Sequence, residues 1–182
     1  MYRKASLFPL TERVPPWLDG PRLRRWLPWL GSWQPGAGSP VVDLHLAGGR
    51  RMRAAPLICY DAVDPQNVAR AVRAGAALIV TLSNDSWLAD GAGAKLHLVV
   101  SLFRSIETRR PQVRATTTGI SAIVTPTGEV VASAGVHERT ALVAPVAPLV
   151  GVTTLAVRWG DWISPLSLLV ALAALSRGGR GR

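Results

Sequence analysis

At 182 residues, 48% of them apolar and with 17 Gly and 14 Pro, the chain is long enough for one domain with a core, too short for two complete ones and too apolar to be disordered. Its single cysteine excludes an internal disulfide, which fits a reducing compartment or an exported domain that needs no staple. The formal charge of +10 comes from arginines scattered through RLRR, GRRMR and RRPQVR and from a basic end, SRGGRGR; no nucleic-acid module accompanies them, so nucleic acid is not an expected partner, and the positive field is read as attraction to an anionic membrane or as a solvated face.

The first residues, MYRKASLFPLTERVPP, contain no apolar h-region and are not a secretory signal peptide. VVDLHLAGGRRMRAAPLIC predicts two strands about a Gly48-Gly49 turn, the second a continuous apolar run ending at Cys59. DPQNVARAVRAG predicts a helix with Asp64 as N-cap, Pro65 at its first position, an apolar face of Val68, Ala69 and Val72, and Gly75 as its stop. AALIVTLS reads as a buried strand, NDSWLADGAG as a loop, and AKLHLVVSLFRSIETRR as a second helix with Leu96, Val99, Val100, Phe103 and Ile106 on one face. VRATTT, ISAIVTP, EVVASAG and TALVAPV follow as short strands, with a hairpin turn at Thr125 to Glu129. This order is α/β with an antiparallel end, a layered arrangement of sheet and helices.

From Trp162 to Ser176 the chain is uncharged and apolar on all faces of a helix, and arginines follow at once. The expectation is a transmembrane helix over 162–176, assisted at its ends by Trp159, Trp162 and Arg177; a buried C-terminal helix is the alternative. If it spans, the basic tail 177–182 stays cytoplasmic and the body before it faces outward.

A cysteine placed between a buried strand and a helix is well situated for a nucleophile, because the strand fixes the sulfur and nearby N–H groups can stabilise an oxyanion. A lone cysteine can equally be a small buried hydrophobe. The segments PLICYD, TLSNDSW and RSIETRRPQVRATTTGISAIVTPTGEVV, taken together, resemble the carbon–nitrogen hydrolase, or nitrilase, superfamily, and within it they are most similar to the bacterial apolipoprotein N-acyltransferases. That family carries C-Y-E at the nucleophile, N-D-x-W after the next strand, and R-A-x-E-x-x-R-P-x-x-R-x-x-x-x-G-x-[ST]-A. The likeness extends to YRKASLFPLTERVP against Y-x-K-x-x-L-x-P-F-G-E-x-V-P, to WQPG, and to RWGDW, in the same order along nearly the whole chain.

The resemblance implies an αββα sandwich and a glutamate–lysine–cysteine catalytic set, in which Cys59 matches the nucleophile, Lys4 the lysine and Glu12 a further active-site glutamate. It implies Tyr60, Asp61, Asn84, Asp85 and Trp87 around the substrate. The general base it implies falls upstream of Lys4, so the chain is expected to be the C-terminal part of such an enzyme, inactive when isolated and completed by a missing N-terminal half. The expected organisation is a partial hydrolase domain over 1–147, a linker over 148–161, the helix over 162–176 and a basic tail over 177–182. Departures are visible: Asp61 stands where the family has glutamate, LTER replaces F-G-E-Y, and TTTG lacks the asparagines before Gly119.

Asn84 and Asp85 also fit a strand end and loop cap, and Glu107 and Arg114 fit buried structural pairs across the helix–strand junction. His97 is read as a packing residue, and without a second ligand nearby in sequence no metal site is expected. The Gly91-x-Gly93 pair is too weak a signal for a nucleotide, and no cofactor is implied. The expected function is transfer of an acyl chain from phospholipid, through a Cys59 thioester, to the N-terminal amine of a lipoprotein at the bacterial inner membrane. The alternatives are a soluble amidase and a non-catalytic module completed by a partner.

Overall fold

The computed structural model describes residues 2–38, 40–88 and 91–178, with backbone alone at 176–178. Six strands form one mixed sheet in chain order: β1 (Val42–His45), β2 (Arg51–Ile58), β3 (Leu78–Ser83), β4 (Gln112–Thr116), β5 (Ser121–Val124) and β6 (Val130–Ala134). The central pairs β2–β3 and β3–β4 are parallel, and the outer pairs are antiparallel. Parallel neighbours need crossovers, and α2 (Pro65–Arg73) and α3 (Gly91–Thr108) supply them. A short α1 (Pro21–Trp26) precedes the sheet; α4 (Leu155–Trp159) and α5 (Ile163–Gly178) follow it.

Local chemistry accounts for most boundaries. The β1–β2 hairpin turns through Ala47–Gly49, where both glycines have positive φ. Asp64 caps α2 by accepting the N–H groups of Gln66 and Asn67, and Pro65 takes the first position, where its missing N–H costs nothing. The expected β5–β6 hairpin also forms, closed by Thr125 N–H to Glu129 O at 2.9 Å.

Helices α2, α3 and α4 touch one another on one face of the sheet. Their core is Ala55, Ala71, Val72, Ala76 and Val157, beside a second cluster of Leu57, Ala62, Val68 and Ile79. The register puts Pro56, Ile58, Val80, Leu82, Val113 and Ala115 on the opposite face, where they are half-buried or exposed. Of the αββα sandwich, the described residues therefore provide one helical layer and one sheet.

Three expectations need correction. The apolar face of α3 does not pack inward: Leu96, Val99, Phe103 and Ile106 are exposed, and Ala94, Ser101, Arg104, Ser105 and Thr108 are buried instead. The inner face is polar because Gln112 of β4, fully buried, needs partners and donates to Ser101 Oγ and to Thr81 Oγ1 at 2.5 and 2.8 Å. TALVAPV forms no strand, and Pro145 within it has no N–H to give a ladder. Finally, no helix among the described residues is long and apolar enough to cross a membrane. Helix α5 has 16 residues, which at ~1.5 Å each reach ~24 Å against a ~30 Å hydrocarbon core. The transmembrane expectation for 162–176 is thus not supported, and most of the basic tail, from residue 179, lies outside the described residues. The 148–161 stretch, read as a linker, contains α4, whose Val157 is in the core; Arg73 donates to its carbonyl and Arg110 to that of Val152.

Candidate active site

Strand β2 delivers Cys59 to the first position of a tight 3₁₀ turn, Cys59–Val63, with φ at +51°. A non-glycine residue in the left-handed region is strained and persists only where its surroundings fix it. Asp61 does the fixing. Its fully buried carboxylate accepts Ile58 N–H at 2.9 Å, Tyr2 O–H at 2.7 Å, Ala5 N–H at 3.0 Å and Ser6 N–H at 2.7 Å. One side chain thereby ties the segment bearing Lys4 to the turn bearing Cys59. Burial, reinforced by the bond to Asp61 and its charge, pushes the Tyr2 hydroxyl well above its ordinary range.

Lys4 is buried, and its ammonium lies 2.7 and 2.6 Å from the two oxygens of Glu12. Glu12 also accepts Phe8 N–H at 2.7 Å, which holds the carboxylate in place. The WQPG turn closes from the other side: Gly36 N–H donates to Lys4 O at 2.8 Å, and a Cβ on Gly36 would sit 2.3 Å from Arg3 O. Only glycine allows that approach.

Three cavities meet at the thiol. The largest, about 540 Å³, is lined by Cys59, Lys4, Glu12, Arg3, Trp33, Asn84 and Trp87. A second, about 350 Å³, adds Phe8, Trp29 and Gly31 to Cys59, Lys4 and Glu12. The third, about 300 Å³, is almost wholly apolar, with Phe8, Tyr60, Val63, Leu88, Leu96 and Val100 around Cys59 and His97. Phe8 stands between them, its ring edge-to-face with Tyr60 at 4.8 Å and with Trp87 at 4.9 Å. The outward apolar face of α3 is thus partly explained, since Leu96 and Val100 wall a chamber.

Behind the thiol lies a buried charged cluster. Arg114 and Asp85, both with fully buried side chains, pair at 3.0 Å; Asp85 also accepts from Ser83 at 2.6 Å and lies 3.0 Å from His97 Nδ1. Burial works to raise the Asp85 carboxyl, but the bonds from His97 and Ser83 and the charges of His97 and Arg114 outweigh it and hold it at about 2. Burial lowers the Arg114 guanidinium, opposed by Asp85. Sγ of Cys59, a carboxylate oxygen of Asp85 and a ring nitrogen of His97 lie within 4.8 Å of one another. Such spacing could suit a metal ion, but both Asp85 oxygens are already engaged, Oδ1 with Ser83 and His97 and Oδ2 with Arg114.

Of the residues singled out in the sequence, Cys59, Lys4, Glu12, Asn84, Tyr60 and Trp87 come together around these cavities. Asp61 and Asp85 are not among their lining residues; they stand behind the walls and hold them. The pairs expected across the helix–strand junction do not form: Glu107 pairs with Arg104 at 2.9 Å within α3, and Arg114, in the middle of β4, pairs with Asp85 in the loop after β3. Sequence reading missed Tyr2, Phe8, Trp29, Trp33 and the proximity of His97 to the thiol. These residues share no spacing pattern; only the turn at Cys59 and the crossover through α3 bring them together.

The fold agrees with the family that the comparisons show. The carbon-nitrogen hydrolase family profile matches residues 1–153, and the chain belongs to that family. Among curated proteins it is 33% identical over 179 residues to apolipoprotein N-acyltransferase 2 of Treponema pallidum, covering 95% of this chain and 32% of that protein. It is 33% identical to the apolipoprotein N-acyltransferase of Bdellovibrio bacteriovorus and 35% to that of Gloeobacter violaceus, each over 97% of this chain and about a third of the relative. The chain therefore spans about a third of the length of the curated relatives it matches. Among solved structures, Nit3 of Saccharomyces cerevisiae is similar at 22% identity and TM-score 0.47, over 59% of this chain and 41% of that one. A cysteine mutant of the Nesterenkonia AN1 amidase is similar at 22% identity and TM-score 0.47, over 75% and 46%.

Proposed function

We propose that this chain is the acyl-carrying part of a membrane N-acyltransferase, in which Cys59 takes an acyl group from phospholipid as a thioester and gives it to the N-terminal amine of a lipoprotein. The observation that carries this reading is the position of Cys59 where a chamber lined by Lys4 and Glu12 meets an apolar one. The thiolate attacks the ester carbonyl; the Lys4 ammonium, oriented by Glu12, faces the oxyanion; the C–O bond breaks and the lysophospholipid leaves as an alcohol. An amine then attacks the thioester and the thiolate departs. The apolar chamber beside Tyr60, Leu96 and Val100 suits the first carbons of an acyl chain.

Membrane apposition is supported by the surface. Trp17 and Trp26 are each 83% exposed, Trp29 and Trp33 are also exposed at the cavity wall, and Arg22 and Arg25 are exposed between them. Tryptophan and arginine in this mixture favour a lipid headgroup region. Helix α5 exposes Ile163, Leu166, Leu168, Leu169, Val170, Leu172 and Leu175 around its circumference, which suits contact with an apolar phase. The bacterial cell membrane, on the side where lipoprotein N-termini are exposed, is the expected location.

The test supplies native membranes holding the protein with a phospholipid labelled in its acyl chain and a diacylglyceryl-cysteine peptide. Label on the peptide amine, lost in Cys59→Ala, is expected; label released only as free fatty acid would favour a hydrolase.

A further inference from the structure

We infer that Arg3 selects the acyl donor by holding its phosphate, so that the largest of the three thiol cavities is a phosphodiester subsite. The inference deepens the proposed function and rests on its reading of Cys59 as the acyl carrier. Arg3 lines this cavity beside Cys59, Lys4 and Glu12. The charges there do not balance. The Lys4 ammonium is matched by Glu12, whose two oxygens lie 2.7 and 2.6 Å from it, and Glu12 accepts Phe8 N–H as well. Arg3 is exposed, and no carboxylate pairs with it among the described residues. The cavity wall therefore carries an uncompensated positive charge. Asn84, on the same wall, accepts Ser86 N–H at 3.1 Å through Oδ1, which leaves its NH2 as a donor. An unpaired guanidinium and an amide donor suit an anion with several oxygens.

The backbone beneath Arg3 is clamped although its side chain is not. Gly36 of the WQPG turn donates to Lys4 O at 2.8 Å, and a Cβ on Gly36 would meet both Arg3 O, at 2.3 Å, and Arg3 Cβ, at 3.0 Å. On the following residues Asp61 holds the N–H groups of Ala5 and Ser6. Arg3 thus extends from a fixed point. It also lines a neighbouring cavity of about 400 Å³ with Tyr2, Pro35 and Gly38, which places it where that cavity and the thiol cavity adjoin. Arg3 and Lys4 are consecutive, with Cα atoms ~3.8 Å apart, and both face the space in front of Cys59. A ligand that satisfies both carries an anion and an ester carbonyl a few bonds apart. A glycerophospholipid does, its phosphodiester oxygens accepting from the planar fork of Arg3. An uncharged acylglycerol has the ester but leaves Arg3 unmatched, so discrimination between the two falls on this residue.

Protection of Cys59 from iodoacetamide at about pH 8, read by mass on the Cys59 peptide of the full chain purified from native membranes, tests this without acyl transfer. The protectants are di-O-hexyl phosphatidylglycerol, an ether lipid with no ester to transfer, di-O-hexylglycerol, which lacks the phosphate, and inorganic phosphate. In wild type the ether phospholipid should protect at a concentration at least about tenfold below either of the other two. Arg3→Gln should raise its half-protecting concentration at least about tenfold and leave that of di-O-hexylglycerol unchanged, with Arg3→Lys, which keeps the charge but not the fork, falling between. Equal protection of wild type and Arg3→Gln, no protection of wild type, or di-O-hexylglycerol protecting as well as the phospholipid would each overturn the inference. Inorganic phosphate protecting as well as the phospholipid would make this a free-phosphate site and overturn the assignment to a lipid headgroup. Arg3-dependent protection without acyl label reaching the peptide amine would instead contradict the proposed function and leave the phosphate contact standing.

Discussion

The hydroxyl of Tyr2 donates to the buried carboxylate of Asp61 at 2.7 Å, across 59 positions of sequence. With the N–H groups of Ile58, Ala5 and Ser6 it fills that carboxylate completely. Asp61→Ala would leave four part-buried donors unpaired, and a loss of about 2 kcal/mol or more in urea denaturation is expected. Cys59 should also become more reactive to alkylation as its turn loosens; a stability change under about 1 kcal/mol would remove Asp61 from this role.

Gly119 carries the second constraint. A Cβ there would lie 2.2 Å from Asp85 Oδ2, inside a pair that has no room to yield. Gly119→Ala should destabilise by about 2 kcal/mol or more, whereas Gly91→Ala, with nothing within 4 Å, should be neutral. Equal midpoints for the two variants would contradict the packing described.

Acid should unfold the protein partly through Asp85. Its carboxyl, held at about 2 when folded, rises to ~3.9 when unfolded, so the folded state binds fewer protons in that window. The stabilisation is present above ~pH 4 and is lost as pH falls through about 2. Asp85→Asn should flatten the stability–pH slope between those values relative to wild type, measured as the urea midpoint at each pH; an unchanged slope would show that other carboxylates govern it.

Trp17 and Trp26, with Arg22 and Arg25, predict affinity for anionic lipid. Co-sedimentation with vesicles containing phosphatidylglycerol should fall at least about tenfold when both tryptophans become alanine, and should weaken as salt rises above ~0.15 M. Binding that ignores both changes would place the membrane contact elsewhere.

Much of this architecture was legible because local signals agreed with tertiary demand. The Gly48-Gly49 hairpin, the Asp64-Pro65 helix start and the apolar run into Cys59 each have a short-range cause. The α3 face was misread because periodicity reports where apolar residues are, not which side the protein covers; buried Gln112 and the thiol's chamber decided that. The contacts of Asp61 and His97 were hidden for a related reason. Each depends on partners far along the chain, Tyr2 in one case and Arg114 and Cys59 in the other. The transmembrane expectation for 162–176 is not supported, since no helix among the described residues is long and apolar enough to cross a membrane.

The central claim is that Cys59 carries an acyl group taken from phospholipid, and the mass of the Cys59 peptide from native membranes supplied with phospholipid tests it most directly. The account predicts an increment equal to one acyl chain on that peptide, released by neutral hydroxylamine as a thioester must be, and absent in Lys4→Ala. An unmodified Cys59 peptide, or an acyl group found on another residue, would contradict it.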